Sequence, residues 1–135
     1  MAAAVLGASA LSGCSASLGG VRCDFKVNHP HESKGSPGWM EGKATLRCTG
    51  AIDSAEGVVK MQRLSQGKWR DVAGTRFTRT IRPVKAETTY TIMTADKLCS
   101  DGTYRVAARG SGVLKGHPRA SIAWQYGGAA KITCR

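Results

Sequence analysis

Five cysteines, three histidines and a large excess of cations are the residues of this chain with chemistry to offer. Cys14 lies in an uncharged N-terminal stretch, while Cys23, Cys48, Cys99 and Cys134 are spread through the remainder. Four dispersed thiols in a small chain point to two disulfides, and so to an oxidising, extracytoplasmic compartment. No two cysteines form a C-x-x-C half-site, so a thiolate metal centre is not expected. His29, His31 and Glu32 crowd one polar loop, Asn28 to Gly38. A metal needs three or four convergent ligands, and no spaced second half-site joins these three; the loop reads as solvated, with no metal or cofactor. There is no G-x-S-x-G, no H-E-x-x-H and no P-loop, so the chain reads as a non-enzyme.

The charge is lopsided, with 20 Lys and Arg against 9 Asp and Glu and a net charge of +11. A field of that sign attracts polyanions. Its densest run is Arg76, Arg79, Arg82 and Lys85, to which Arg105 and Arg109 add a second basic segment. Readers of single-stranded nucleic acid interleave such charge with stacking aromatics. Here the aromatics fall on faces read as inward, so nucleic acid is disfavoured as a partner. Anionic envelope polymers, phospholipid headgroups or plain solvent remain for the basic face.

A chain of 135 residues holds one domain plus, at most, a leader. Its centre is Cys99 to Arg109. Asp101-Gly102 marks a turn, after which Tyr104, Val106 and Ala108 alternate with Arg105, Ala107 and Arg109 in the period of a half-buried strand. The same period marks strands at Val21–Val27, Gly42–Thr49, Val58–Leu64, Lys68–Val72, Thr75–Arg82, Glu87–Thr94, Ser121–Tyr126 and the C-terminal residues. Asp53–Gly57 reads as a turn, Ser65-Gln66-Gly67 as a three-residue hairpin loop, and Gly110-Ser-Gly112 as the start of a loop. Trp69 reads as a core plug, and Ile122, Trp124 and Tyr126 share one face. About nine strands at roughly 8–12-residue spacing, with no helical period, predict an all-β antiparallel sandwich.

Met1 to Gly20 carries no charge, and its apolar run, Ala2 to Leu11, is too short to span a bilayer. It reads as the apolar segment of an export signal. Leu11-Ser12-Gly13-Cys14 resembles the lipobox of bacterial lipoproteins, which implies cleavage before an acylated Cys14 and a tether at Ser15 to Gly20. The alternative is secretion, with cleavage at Ala8-Ser9-Ala10 or Cys14-Ser15-Ala16. Residues 21–135 then form the domain.

Asp101-Gly102-Thr103-Tyr104 resembles the corner of immunoglobulin-like domains at which a Tyr hydroxyl ties the chain to nearby backbone. Val106 stands where such domains carry their second bridge cysteine, and Trp69 lies farther from Cys48 than their usual spacing. The resemblance therefore implies an immunoglobulin-like β-sandwich of about 7–9 strands, and architecture only. The whole layout resembles small exported proteins and lipoproteins of actinobacteria and their phages. Of three possible connectivities, that resemblance implies Cys23–Cys48 and Cys99–Cys134. It also implies an envelope-anchored or secreted binding module, in its sharpest form a phage-encoded lipoprotein of superinfection exclusion. The alternatives are a secreted inhibitor of an extracellular enzyme and a basic module binding anionic envelope polymers. The expected partner is a protein or anionic polymer at the envelope, with the membrane reached through Cys14.

Overall fold

A computed structural model describes residues 13–116 and 120–135, with side chains from Ser15 onward. The apolar run Ala2–Leu11, the first half of the lipobox-like tetrapeptide, and His117 and Pro118 lie outside the described residues. The described residues form thirteen strands and no helix: β1 (Gly13–Leu18), β2 (Val21–Val27), β3 (His31–Glu32), β4 (Trp39–Glu41), β5 (Lys43–Cys48), β6 (Ser54–Ser65), β7 (Lys68–Asp71), β8 (Phe77–Ile81), β9 (Thr89–Met93), β10 (Lys97–Leu98), β11 (Gly102–Val113), β12 (Ala120–Tyr126) and β13 (Ala130–Ile132). The expected all-β, antiparallel chain with two disulfides is observed.

A four-stranded sheet runs β9–β5–β2–β1, and a six-stranded sheet runs β12–β11–β6–β7, with β8 also on β6 and β13 also on β11. A small third sheet, β10–β4–β3, closes one end. Alternation along β2, β5 and β11 turns Phe25, Val27, Ala44, Leu46, Val106 and Ala108 inward, where they join Val59 and Ile92 in one buried cluster drawn from both larger sheets. Each such aliphatic or aromatic side chain contributes about 1.5–3 kcal/mol by leaving water. A second cluster gathers Met40, Met61, Tyr104 and Ile132 beside the half-buried Cys99 and Cys134.

The bridges are Cys23–Cys48 and Cys99–Cys134. The first joins residues directly opposite each other on β2 and β5, within one sheet, with Cα atoms 4.0 Å apart. The second fastens the residues after β13 to the turn before β11. At that turn the Tyr104 hydroxyl, on a side chain only 1% exposed, donates to the Ser100 carbonyl at 2.9 Å and lies 2.7 Å from Ser100 Oγ.

Several expectations are corrected. Ser15 to Gly20 is not a free tether: β1 pairs over its whole length with β2 from Gly13↔Lys26 to Leu18↔Val21, and Leu18 is buried. Asp53–Gly57 is not a turn, because β6 begins at Ser54 and pairs with β8 and β11 through that stretch. Gly57 permits this: a Cβ there would overlap Ile92 Cδ1 of the facing sheet. Gly110–Gly112 likewise continues β11 to Val113. The β6–β7 hairpin turns on two residues, Gln66 and Gly67, both at positive φ (53° and 76°), as a type I′ turn requires. The loop after Asn28 contains the short strand β3.

A candidate cation–aromatic binding face

The outer face of the six-stranded sheet depends on a bulge. Ala108 pairs with Gln125, yet Gly110, two residues along β11, pairs with Ile122, three residues back along β12. The extra residue reverses the facing of β12 at that point. Ile122 packs on the core, while Trp124 and Tyr126 turn to the outer face. The expectation that Ile122, Trp124 and Tyr126 share a face is thereby overturned. So is the reading of Trp69 as a core plug, since its ring lies on the same outer face.

These rings interleave with cations. The Arg105 guanidinium carbon lies 4.4 Å from the Trp69 ring centre and 4.0 Å from that of Tyr126. Arg105 Nε donates to Gln62 Oε1 at 2.8 Å, Gln62 Nε2 donates to Asp71 Oδ1 at 2.9 Å, and Lys60 Nζ donates to Asp71 Oδ2 at 3.0 Å. Lys60 Nζ also stands 4.4 Å from the Trp124 ring centre, with the guanidiniums of Arg109 and Arg76 at 5.0 and 5.8 Å. Each contact of this kind contributes about 0.5–2 kcal/mol, more as water is excluded. The hydrogen bonds from Gln62 and Lys60 hold the Asp71 carboxyl below the usual aspartate range. Burial draws the Arg105 guanidinium below its ordinary value, against the opposing influence of Tyr126.

Arg76 and Arg109 form no salt bridge among the described residues, and the Arg76 charge adds a little to the lowering of the Asp71 carboxyl. Beside Arg109 opens a groove of about 460 Å³ lined by Glu56, Ser111, Ser121, Ile122 and Ala123. It continues into a smaller depression of about 140 Å³ that shares Glu56 and Ser111 and ends at Arg82 and Thr80. The space enclosed between the sheets is about 30 Å³ with an almost wholly apolar lining. A site of that size and lining holds no ligand.

Of the sequence-predicted cations, Arg76, Arg82, Arg105 and Arg109 therefore share this face or its groove, and Arg79 and Lys85 do not join them. Arg79 alternates to the other side of β8, where its Nη1 donates to the Thr91 carbonyl at 2.6 Å and covers the edge strand β9. Lys85 follows the isolated Ile52–Val84 bridge, and its backbone N–H donates to the Tyr90 hydroxyl at 2.9 Å. Lys60, Gln62, Asp71, Trp69, Trp124 and Tyr126 were missed as site residues. Polar Lys60 and Gln62 breaking the apolar run Val58–Leu64 are the one local signal of an outward face.

The histidine loop serves the fold. The Glu32 carboxylate, its side chain 9% exposed, accepts from the Gly38 N–H at 2.8 Å and from Arg135 N and Nε at 3.1 and 3.3 Å. Those donors hold it below the usual glutamate range. His29 Nδ1 meets the Gly128 carbonyl at 3.1 Å. No group of three potential metal ligands exists among the described residues, and no helix there is long and apolar enough to cross a membrane.

Comparisons with protein-family models, with curated proteins and with solved structures found no match for this chain.

Proposed function

We propose that this protein is an extracytoplasmic, non-enzymatic binding module of immunoglobulin-like sandwich architecture, and that the outer face of its six-stranded sheet recognises an anionic polymer of the cell envelope. The observation that carries this reading is the ordered alternation of Trp69, Arg105, Tyr126, Lys60, Trp124, Arg109 and Arg76. A basic face that serves only solubility has no need of fixed guanidiniums. Here stacking restrains them before a ligand arrives, which lowers the entropy lost on binding.

The sandwich reading is supported by the core shared between two antiparallel sheets and by the Tyr104–Ser100 contact, which has the form of a tyrosine corner. The compartment follows from the disulfides. Acylation at Cys14 rests on the lipobox-like Leu11-Ser12-Gly13-Cys14. Cleavage after Ala16 would divide β1, whereas cleavage before Cys14 leaves Cys14–Leu18 paired with β2 and cleavage after Ala10 leaves the whole strand.

The face is tested by salt elution from immobilised dextran sulfate. Wild type and Lys26→Glu/Lys43→Glu, altered on strands of the four-stranded sheet, are expected to elute at high salt. Arg76→Glu/Arg109→Glu, with the same net charge change, is expected to elute early. Equal losses in the two variants would reduce the effect to net charge and overturn the assignment.

A further inference from the structure

Resting on that reading, we infer that the groove beside Arg109 is a subsite for an acidic sugar, a pyranose unit bearing a carboxylate, within a polysaccharide chain. The groove, at about 460 Å³, has the size of small-molecule sites. Its lining is chemically mixed. Ser111 and Ser121 stand directly opposite each other on β11 and β12, and their hydroxyls both donate and accept. Glu56 on β6, paired with Ser111, supplies an acceptor, and Arg109 supplies donors with fixed charge. The Arg109 guanidinium that lines the groove is itself 5.0 Å from the Trp124 ring centre, which restrains it there.

That set matches a hydroxylated ring with a single negative charge. Sugar hydroxyls donate to Glu56 and exchange hydrogen bonds with the two serines, and the carboxylate meets Arg109. A DNA phosphodiester chain fits less well, because its backbone has no hydroxyl to donate to Glu56 and so nothing to offset the repulsion between that carboxylate and the phosphate. The smaller depression carries the argument from one unit to a chain. It shares Glu56 and Ser111 with the groove and reaches Arg82, a second cation for the next acidic unit.

Glu56 distinguishes sugar recognition from simple attraction of charge. The experiment titrates oligogalacturonate, neutral dextran and single-stranded oligo-dT into the folded protein by calorimetry, for wild type, Glu56→Gln and Arg76→Glu/Arg109→Glu. Glu56 is exposed, and an unchanged unfolding midpoint checks the fold of each variant. Oligogalacturonate is expected to bind wild type more tightly than oligo-dT, with dextran weakest. Glu56→Gln is expected to weaken oligogalacturonate about tenfold, through a lost charged hydrogen bond, while strengthening oligo-dT through lost repulsion. If Glu56→Gln strengthens both, or if oligo-dT binds more tightly than oligogalacturonate, the sugar subsite is overturned and the anionic face survives. Insensitivity of every ligand to Arg76→Glu/Arg109→Glu would overturn the face itself.

Discussion

Arg105 is restrained from three directions, by the Trp69 ring, by the Tyr126 ring and by the Gln62 amide, and each restraint comes from a different strand. Its neighbour Tyr104 points the other way, into the core, and only its hydroxyl reaches out to Ser100. Replacing Tyr104 with Phe keeps the ring and removes that hydroxyl. Tyr104→Phe is expected to lower unfolding stability by about 1 kcal/mol, read as a lower denaturant midpoint at unchanged slope; an unchanged midpoint would show that the corner contributes no stability. This contact was legible in Asp101-Gly-Thr-Tyr104, because turn and tyrosine lie within four residues. Trp69 was not legible. Its size predicts burial, whereas its pairing opposite Leu64 sets it on the outer face, where Arg105 of another strand stacks on it.

At the scale of elements, one bulge and one glycine shape the molecule. The bulge in β12 keeps Ile122 in the core while turning Trp124 and Tyr126 outward. Nothing within Ser121–Tyr126 announces it, since the extra residue is defined only against the register of β11. Gly57 is the second. The stretch read as a turn is the first part of a twelve-residue strand, and a glycine there leaves room for Ile92 of β9. Gly57→Ala is expected to cost about 1–3 kcal/mol by overpacking. Ile92→Val, which removes the overlapping methyl, costs about 0.5–1.5 kcal/mol alone. Thermal unfolding of the double variant is expected to show less than the summed loss; strict additivity would mean that Gly57 serves the backbone rather than the contact.

For the whole molecule, the two disulfides and β1 fix how the domain begins and ends. Cys99–Cys134 and the Glu32 clamp secure the C-terminal residues, and β1 forms an edge of the four-stranded sheet. With Cys14 itself on β1, acylation there would leave no linker between lipid and sheet. Intact mass spectrometry of the membrane fraction is expected to show a diacylglyceryl-modified chain beginning at Cys14 for wild type and none for Cys14→Ala. An unacylated mature chain, or one beginning beyond Ala16, would overturn lipidation.

Alternation along β2, β5 and β11, turn residues and dispersed cysteines determined the strand-rich, disulfide-bonded character of this chain from sequence alone, because those signals act over a few residues or through composition. Which cations gather, which aromatics face water and where the groove opens were decided by the tertiary structure. Lys60, Arg105, Arg109 and Trp124 come from three strands, Arg76 precedes a fourth, and they meet through register, while one bulged residue in β12 sets the side of the sheet on which Trp124 stands. Register is a relation between strands, so a reading confined to each strand in turn has no access to it.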